Sequence, residues 1–165
     1  DLGFTIHSFK DTLYDETAKR YGVTREWILT DYEENKDSPH EELSGKTKRE
    51  ALIDTSENHI KVNFGSDYFG VKAAERAAAN TMVVFPDGGF ESEVGPVSAI
   101  TETMVLVRIA REGKSFEGDS RNYLTGSAED HFDIVIDISN DGTLDDLRAI
   151  ANRIAGTIVT YEAMQ

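Results

Sequence analysis

The chain has 165 residues, and its 17 basic and 31 acidic side chains give a formal net charge of −14. This length fits a single domain with a real hydrophobic core, and the excess negative charge argues against general binding to nucleic-acid phosphates. The chain has no cysteine, which excludes disulfides and thiolate metal sites and favours a reducing, cytoplasmic compartment. The four histidines show no metal-ligand spacing, and no apolar run approaches the roughly 18 residues of a membrane span, so neither a protein metal site nor a membrane is expected.

The first half of the chain predicts one short strand followed by several helices. Alternating residues 4–9 indicate the strand, and the apolar face of residues 11–21 indicates a helix that ends at Gly22. Thr24 is placed to cap a second, short helix. The charged segment 31–47 contains proline and glycine and is predicted to be a mobile surface loop. Two more helices are predicted, over residues 47–56 and 66–80.

Three nearly continuous apolar runs in the second half predict strands that are buried on both faces of a parallel sheet. They cover residues 82–85, 104–110 and 132–138. Helical patterns lie between or after them, and this order of elements favours an α/β fold. The last helix is predicted to begin after Thr143 and to pack an apolar stripe, from Leu144 to Ile154, on the sheet.

The turn Asn140-Asp141-Gly142 joins the last strand to the last helix. Glycine permits the tight backbone and Thr143 can cap the helix, so part of this turn has a purely structural explanation. The side-chain amide of Asn140 has no such explanation, and it is predicted to lie at the carboxyl edge of a parallel strand. Ligands of open α/β sheets bind at that edge, which makes Asn140 a candidate binding residue.

Two Gly-Lys-hydroxyl triplets, at 45–47 and 113–115, approach the phosphate-binding pattern G-x-x-x-x-G-K-[ST]. In the first triplet His40 replaces the leading glycine, and in the second Arg108 replaces it. We interpret both as chance matches. No phosphate-cradling loop is therefore expected within these 165 residues.

Three other features are candidates for contact with a phosphorylated ligand. Asp87 directly follows an apolar run, where a carboxylate can hold Mg²⁺ through water or orient a substrate, or can simply belong to a Pro-Asp-Gly-Gly turn. Arg49 could hold a phosphate through two hydrogen bonds, or be a solvated helix residue. The segment 108–121 is either a loop that closes over polyphosphate or a surface connection, and it carries the cations Arg108, Arg111, Lys114 and Arg121.

Six segments follow one another along the chain: SFKDTLYDETAKRYGV, LSGKTKREALI, GSDYFGVKAAERA, VVFPDGGFESE, VLVRIAREGKSFEGDS and ISNDGTLDDL. In this order they resemble the bacteriophage-type deoxynucleoside monophosphate kinases, a branch of the P-loop kinase fold. The resemblance covers nearly the whole chain. It implies a three-layer α/β/α fold with a mostly parallel sheet, in which residues 1–165 form a single kinase-like domain with a lid-like segment at about 108–127.

The resemblance also implies an activity. Such an enzyme transfers the γ-phosphoryl group of ATP, with Mg²⁺, to a deoxynucleoside monophosphate, and it works by in-line positioning and charge neutralisation. A strand, a phosphate-binding loop and a helix are then expected ahead of Asp1. The compartment would be the cytoplasm, that of the host if the protein is viral. Related enzymes are often dimers, and a homodimer is left open.

The resemblance assigns residues to the two nucleotides. For the acceptor, Arg49 would hold the phosphate, while the other residues would line the cleft (Lys10, Asp11), stack near the base (Tyr68 or Phe69) or contact the sugar or base (Asp87, Glu93). For ATP, the residues Asn140, Asp141 and Gly142 would lie near the adenine. The catalytic cations of the lid would be Arg111 and Arg121.

The chain departs from the family pattern at several positions. Gly89 stands where the family has an arginine after the strand-end aspartate, and Arg121 stands where its lid has a histidine. The Gln and Gly-Thr pattern after the Arg49 helix is replaced, with Ile53, Ser56 and Glu57 there instead. Two alternatives therefore stay open: a kinase acting on a modified pyrimidine, free or within phage DNA, and a catalytically silent binding protein on a kinase scaffold.

Overall fold

A computed structural model describes residues 3–117 and 122–163. The structure is 53% helical and 12% strand, with two small parallel sheets. One sheet pairs β1 (Thr5–Ile6) with β2 (Val83–Val84). The other pairs β3 (Val105–Ala110) with β4 (Ile134–Ser139) over six residues of register. The mixture of helices with parallel strands agrees with the predicted α/β class.

The first two strands are shorter than the sequence predicted. β1 ends after Ile6 because Ser8 and Phe9 already turn into the first helix, where the Asp11 N–H donates to the Ser8 carbonyl at 3.1 Å. β2 is followed within two residues by Pro86, which has no N–H to offer a sheet. The described strands therefore form two pairs rather than the single sheet that the apolar runs indicated.

Eight α-helices pack around these strands in the described part of the chain. They are α1 (Lys10–Tyr21), α2 (Arg25–Leu29), α3 (Tyr32–Asn35), α4 (Lys48–Ile53), α5 (Lys61–Phe64), α6 (Tyr68–Ala77), α7 (Glu91–Ser98) and α8 (Leu144–Glu162). A π-helical stretch, Asp54–Ile60, joins α4 to α5. The helix predicted over 47–56 therefore continues for two further turns. Two 3₁₀ turns lie at Glu41–Leu43 and Gly126–His131.

The caps predicted at Gly22, Thr24 and Thr143 are confirmed. Gly22 closes α1 in the left-handed conformation, at a φ of 70°. The Thr24 hydroxyl accepts the Trp27 N–H at the start of α2. Thr47 and Thr143 cap α4 and α8, and each forms a reciprocal capping box with an acidic residue three positions later.

The segment 31–47 has more structure than the mobile loop that its charge and proline suggested. It contains α3 and the first 3₁₀ turn, and Pro39 bridges to Thr47. The Arg49 N–H also donates to the Lys36 carbonyl at 3.1 Å. These backbone contacts hold the segment against the start of α4.

The core lies where α6 and α7 meet the ends of the strands. Phe9 stacks on Phe85 with ring centroids 4.7 Å apart, and this pair packs with Val97 and Met104 against the small side chains of α6. Close packing of this kind joins Phe9, three residues after β1, to Met104, the residue before β3. The core thus fixes the strand ends from which the candidate site is built.

Helix α8 carries the predicted apolar stripe but is not fully buried at any described position. Leu147, Ile150 and Ile154 are half-buried, and Leu144 is 61% exposed. Much of this stripe is therefore in contact with solvent in the part of the chain that the structure describes. In the described part of the chain, no helix has both the length and the apolar character needed to cross a membrane.

Asp54, at the junction of α4 and the π-helical stretch, gathers several donors. The amide of Asn58 and the hydroxyl of Tyr21 donate to it at 2.9 and 3.0 Å, and Lys46 and Arg20 form ion pairs with it. These groups, chiefly Asn58 and Tyr21, lower the pKa of Asp54 to about 2. Because the folded protein holds the charged form more tightly, Asp54 stabilises the fold above its unfolded pKa, near 3.8.

We expect Asp54→Asn to remove this contribution. The stability difference between the wild type and D54N should be constant above about pH 5 and should shrink as the pH falls from about 4 to 2. Urea unfolding at a series of pH values measures it, with Asp130→Asn, at an exposed carboxylate, as the control. A difference that grows on acidification would contradict this assignment.

Candidate functional site

A cavity of about 390 Å³ is lined by residues that follow β1 and β2 and by residues from the surrounding helices. This volume lies within the roughly 300–1,000 Å³ typical of small-molecule sites. Five of the predicted acceptor residues contribute to its lining: Lys10, Arg49, Phe69, Asp87 and Glu93. The resemblance assigned these residues to one acceptor nucleotide. The fold brings them to one cavity from five separate segments.

Part of the cavity wall is apolar and aromatic. Phe9, Phe69 and Phe90 contribute rings, and Leu13 and Leu52 contribute aliphatic surface. Phe69, in the first turn of α6, is only 5% exposed. A planar aromatic ring fits such walls, since stacking and apolar contact do not depend on its exact hydrogen-bonding pattern.

Two phenols add hydrogen-bonding groups to the lining. Tyr14 and Tyr32 pack edge to face, with ring centroids 6.4 Å apart. Burial raises the pKa of both hydroxyls above the ordinary value for tyrosine. Both phenols are therefore protonated at neutral pH and can donate a hydrogen bond to a ligand.

Three cations line the same cavity. In the described part of the chain the Lys10 ammonium has no hydrogen bond or ion pair, while Lys61 pairs with Glu57 at 2.7 Å and lies 5.0 Å from the centre of the Phe90 ring. Arg49 pairs with Asp37 at 2.9 Å, and both side chains are more than half exposed. Exposed ion pairs contribute little to stability, so an anionic ligand can replace Asp37 at low cost.

Asp87 joins the two strand ends. Its carboxylate accepts the Phe9 and Lys10 N–H groups at 3.1 and 3.0 Å and the Ser8 hydroxyl at 2.5 Å. These donors form the amino end of α1, where a negative charge is also favoured by the helix dipole. Asp87 therefore acts as a cap from outside the helix, and this use of both oxygens favours a positioning role over the role of a Mg²⁺ ligand.

Asp11 and Tyr68 lie beside the cavity rather than in its lining. Asp11 forms an ion pair with Arg25 and accepts the Ser8 N–H at 3.0 Å. Burial opposes its ionisation, but Arg25 and Ser8 outweigh that effect and hold the pKa of Asp11 below its ordinary value. The Tyr68 hydroxyl donates to Glu16 at 3.2 Å, so Phe69 is the aromatic residue of this pair that reaches the cavity.

The residues predicted to contact ATP form a second cluster at the carboxyl ends of β3 and β4. The Asn140 N–H donates to the Ala110 carbonyl at 2.7 Å. Asp141 accepts the Glu112 N–H at 2.6 Å and the hydroxyl of the residue that ends β4. These donors, and to a lesser degree Arg111, hold the pKa of Asp141 below its ordinary value.

The turn in this cluster has a steric reason for its glycine. A side chain on Gly142 would place its Cβ 2.8 Å from the Asp146 carboxylate, which is already used in the capping box of α8. Arg111 is at the end of β3, next to Asp141. Arg121, the other predicted catalytic cation, lies outside the described residues.

The two Gly-Lys-hydroxyl triplets have structural uses. This agrees with their interpretation as chance matches to the phosphate-binding pattern. In the first, Lys46 pairs with Asp54 and Thr47 caps α4. In the second, the Lys114 N–H closes a turn onto the Arg111 carbonyl at 3.1 Å, and the Ser115 hydroxyl accepts a neighbouring N–H.

Sequence reasoning did not identify Lys61, Phe90 or Gly70 as part of this site. Lys61 was missed because the helix before it was predicted to end near residue 56. The helical pattern that continues through residue 64 was the signal that could have identified it. Gly70 gave no local signal, since its role depends on a close approach to α7.

In the parts of the chain that the structure describes, no group of three or more His, Cys, Asp or Glu side chains is arranged to hold a metal ion. Comparison of this chain with known protein families, with curated proteins and with solved structures found no match.

Proposed function

We propose that this protein is a nucleotide kinase that transfers the γ-phosphoryl group of ATP to a deoxynucleoside monophosphate. One observation carries the proposal. Lys10, Arg49, Phe69, Asp87 and Glu93 line a single cavity, although they come from positions spread over more than 80 residues of sequence. These are residues that the resemblance assigned to the acceptor nucleotide.

The chemistry of the cavity supports an acceptor of this kind. Lys10 and Arg49 supply positive charge for a phosphate in a protein of net charge −14, and the phenylalanine walls suit a base. Phosphoryl transfer needs little covalent chemistry from the protein, so binding and orientation are the main tasks of these side chains. Mg²⁺, arriving with ATP, would supply charge neutralisation on the transferred group.

The proposed reaction also needs a phosphate-binding loop that holds the phosphates of ATP. Within residues 3–117 and 122–163, β2 pairs only with β1 and β3 pairs only with β4. Each two-stranded sheet therefore has an outer edge on both of its strands with which no other described strand pairs.

A coupled assay of ADP formation with a panel of deoxynucleoside monophosphates tests the proposal on the full-length protein. We expect Arg49→Ala to raise the KM for the acceptor roughly tenfold to a hundredfold, because hydrogen bonds to charged groups contribute about 1.5–3 kcal/mol. Arg49→Lys should recover part of this loss, since it keeps the charge but not the bidentate geometry. Arg153→Ala, at an exposed position on α8, is the control.

Absence of ADP formation with every acceptor would overturn the kinase proposal. The second candidate is a silent nucleotide-binding protein, and it is favoured by the structural use of Lys46 and Thr47 in the triplet nearest the cavity. Nucleotide binding without turnover would support it. Activity confined to DNA with hydroxymethylated pyrimidines would instead support the modified-base kinase.

A further inference from the structure

Glu93 gives the cavity a buried carboxylate. It lies in the first turn of α7, lines the cavity and is only 7% exposed. Phe69 and Phe90 lie in the same lining and reduce the contact of this wall with water. A carboxylate in such surroundings accepts hydrogen bonds strongly, and it has about four acceptor positions to share between protein and ligand.

The position of Glu93 is fixed by its backbone. The backbone of Gly70 on α6 approaches it so closely that a Cβ on Gly70 would lie 2.6 Å from the Glu93 carbonyl oxygen and 2.8 Å from its Cα. Residue 93 therefore cannot move towards α6, and this contact fixes the point in the cavity wall at which its side chain begins. A fixed acceptor of this kind selects among ligands by the donors that they present.

On the basis of the proposed function, we infer that Glu93 makes this cavity selective for guanine among the nucleobases. Guanine carries its N1–H and its 2-amino group side by side, so both can donate to one carboxylate in parallel. Adenine and cytosine present an amino group next to a ring nitrogen lone pair, which repels the second oxygen. Thymine presents one N–H between two carbonyl oxygens, and both of these oxygens repel a carboxylate.

The inference can be tested without any substitution. Calorimetric titration of the full chain should show dGMP binding at least about tenfold more tightly than dTMP, because a good bidentate pair contributes about 1–3 kcal/mol of discrimination. Deoxyinosine monophosphate differs from dGMP only in lacking the 2-amino group. We expect its affinity to fall at least about fivefold, since only one of the two hydrogen bonds remains.

A pair of variants assigns the effect to Glu93. Glu93→Gln replaces one acceptor oxygen by a donor and should lower dGMP affinity at least about tenfold, with a much smaller change for dTMP. Glu91→Gln is the matched control, since Glu91 is an exposed residue of the same helical turn that pairs with Ser127 outside the cavity. It should change dGMP affinity less than about twofold.

The outcomes separate this inference from the proposed function. If deoxynucleoside monophosphates bind but dGMP is not preferred, or if Glu93→Gln weakens all of them equally, guanine selection is wrong and the kinase proposal stands. If no deoxynucleoside monophosphate binds, both fail. If the variant does not fold by circular dichroism, the dGMP and deoxyinosine monophosphate affinities of the wild type decide the matter alone.

Discussion

Gly70→Ala is expected to destabilise the protein by roughly 1–3 kcal/mol, the usual cost of overpacking a well-packed site. Alanine is the better helix former, so an exposed helical position would show the opposite sign. At residue 70 the new Cβ would lie 2.6 Å from the Glu93 carbonyl oxygen and 2.8 Å from its Cα. Both are backbone atoms, so no side chain can rotate away, and α6 and α7 must separate.

The same change should weaken ligand binding. Phe69 and Glu93 lie on the two helices that would move apart, and both line the cavity. Gly156→Ala in α8 is a matched control, since a Cβ at that position would meet no atom within 4 Å, and it should stabilise the protein by about 0.5–1 kcal/mol. Chemical unfolding of both variants gives the comparison. Equal stabilisation by the two substitutions would mean that α6 and α7 are not in close contact.

Three helix caps could be predicted because their determinants are local. The hydroxyls of Thr24 and Thr143 accept N–H groups three residues away, and Gly22 adopts the left-handed conformation that ends α1. Interactions of this range are contained in a short window of sequence. The bounds of helix α7 were not predicted, because a proline such as Pro96 in its last turn usually indicates that a segment is not helical.

The extent of the sheets could not be predicted from the same windows. Apolar runs indicate that a segment can be buried, but strand length depends on which partner is available along the whole edge. β1 and β2 stop after two residues where the chain turns into α1 and meets Pro86. The apolar stripe of α8 was identified correctly, but its burial was not, because burial depends on surfaces distant in sequence.

Sequence reasoning grouped residues that the fold also brings close together, but it did not reach their individual contacts. Residues were assigned by the order of motifs, and five of them meet in one cavity. The exact task of each side chain depends on partners distant in sequence: Asp11 pairs with Arg25, and Asp87 binds donors 77–79 residues away. Such pairings arise only when the strand ends are brought together.

Asp87→Ala is expected to destabilise the protein by roughly 2–4 kcal/mol. The substitution removes the acceptor for the Phe9 and Lys10 N–H groups and for the Ser8 hydroxyl, and it removes the negative charge at the amino end of α1. Loss of a cap alone costs about 0.5–2 kcal/mol, and a partly buried donor left without an acceptor adds about 1–3 kcal/mol. Urea unfolding measures the loss, and Asp145→Ala is the control because its side chain is 89% exposed.

Asp87→Asn separates the two parts of this effect. The amide keeps one acceptor oxygen for a backbone N–H of α1, and the Ser8 hydroxyl can reverse and accept from the amide nitrogen, so roughly half of the loss should be recovered. If Asp87 were instead chiefly a Mg²⁺ ligand, both substitutions would leave stability unchanged without Mg²⁺ and differ from the wild type only in its presence. Lys10 lines the cavity, and its backbone N–H is one of the groups that Asp87 caps. We therefore expect acceptor affinity to fall in the same order as stability, from the wild type to Asp87→Asn and then to Asp87→Ala.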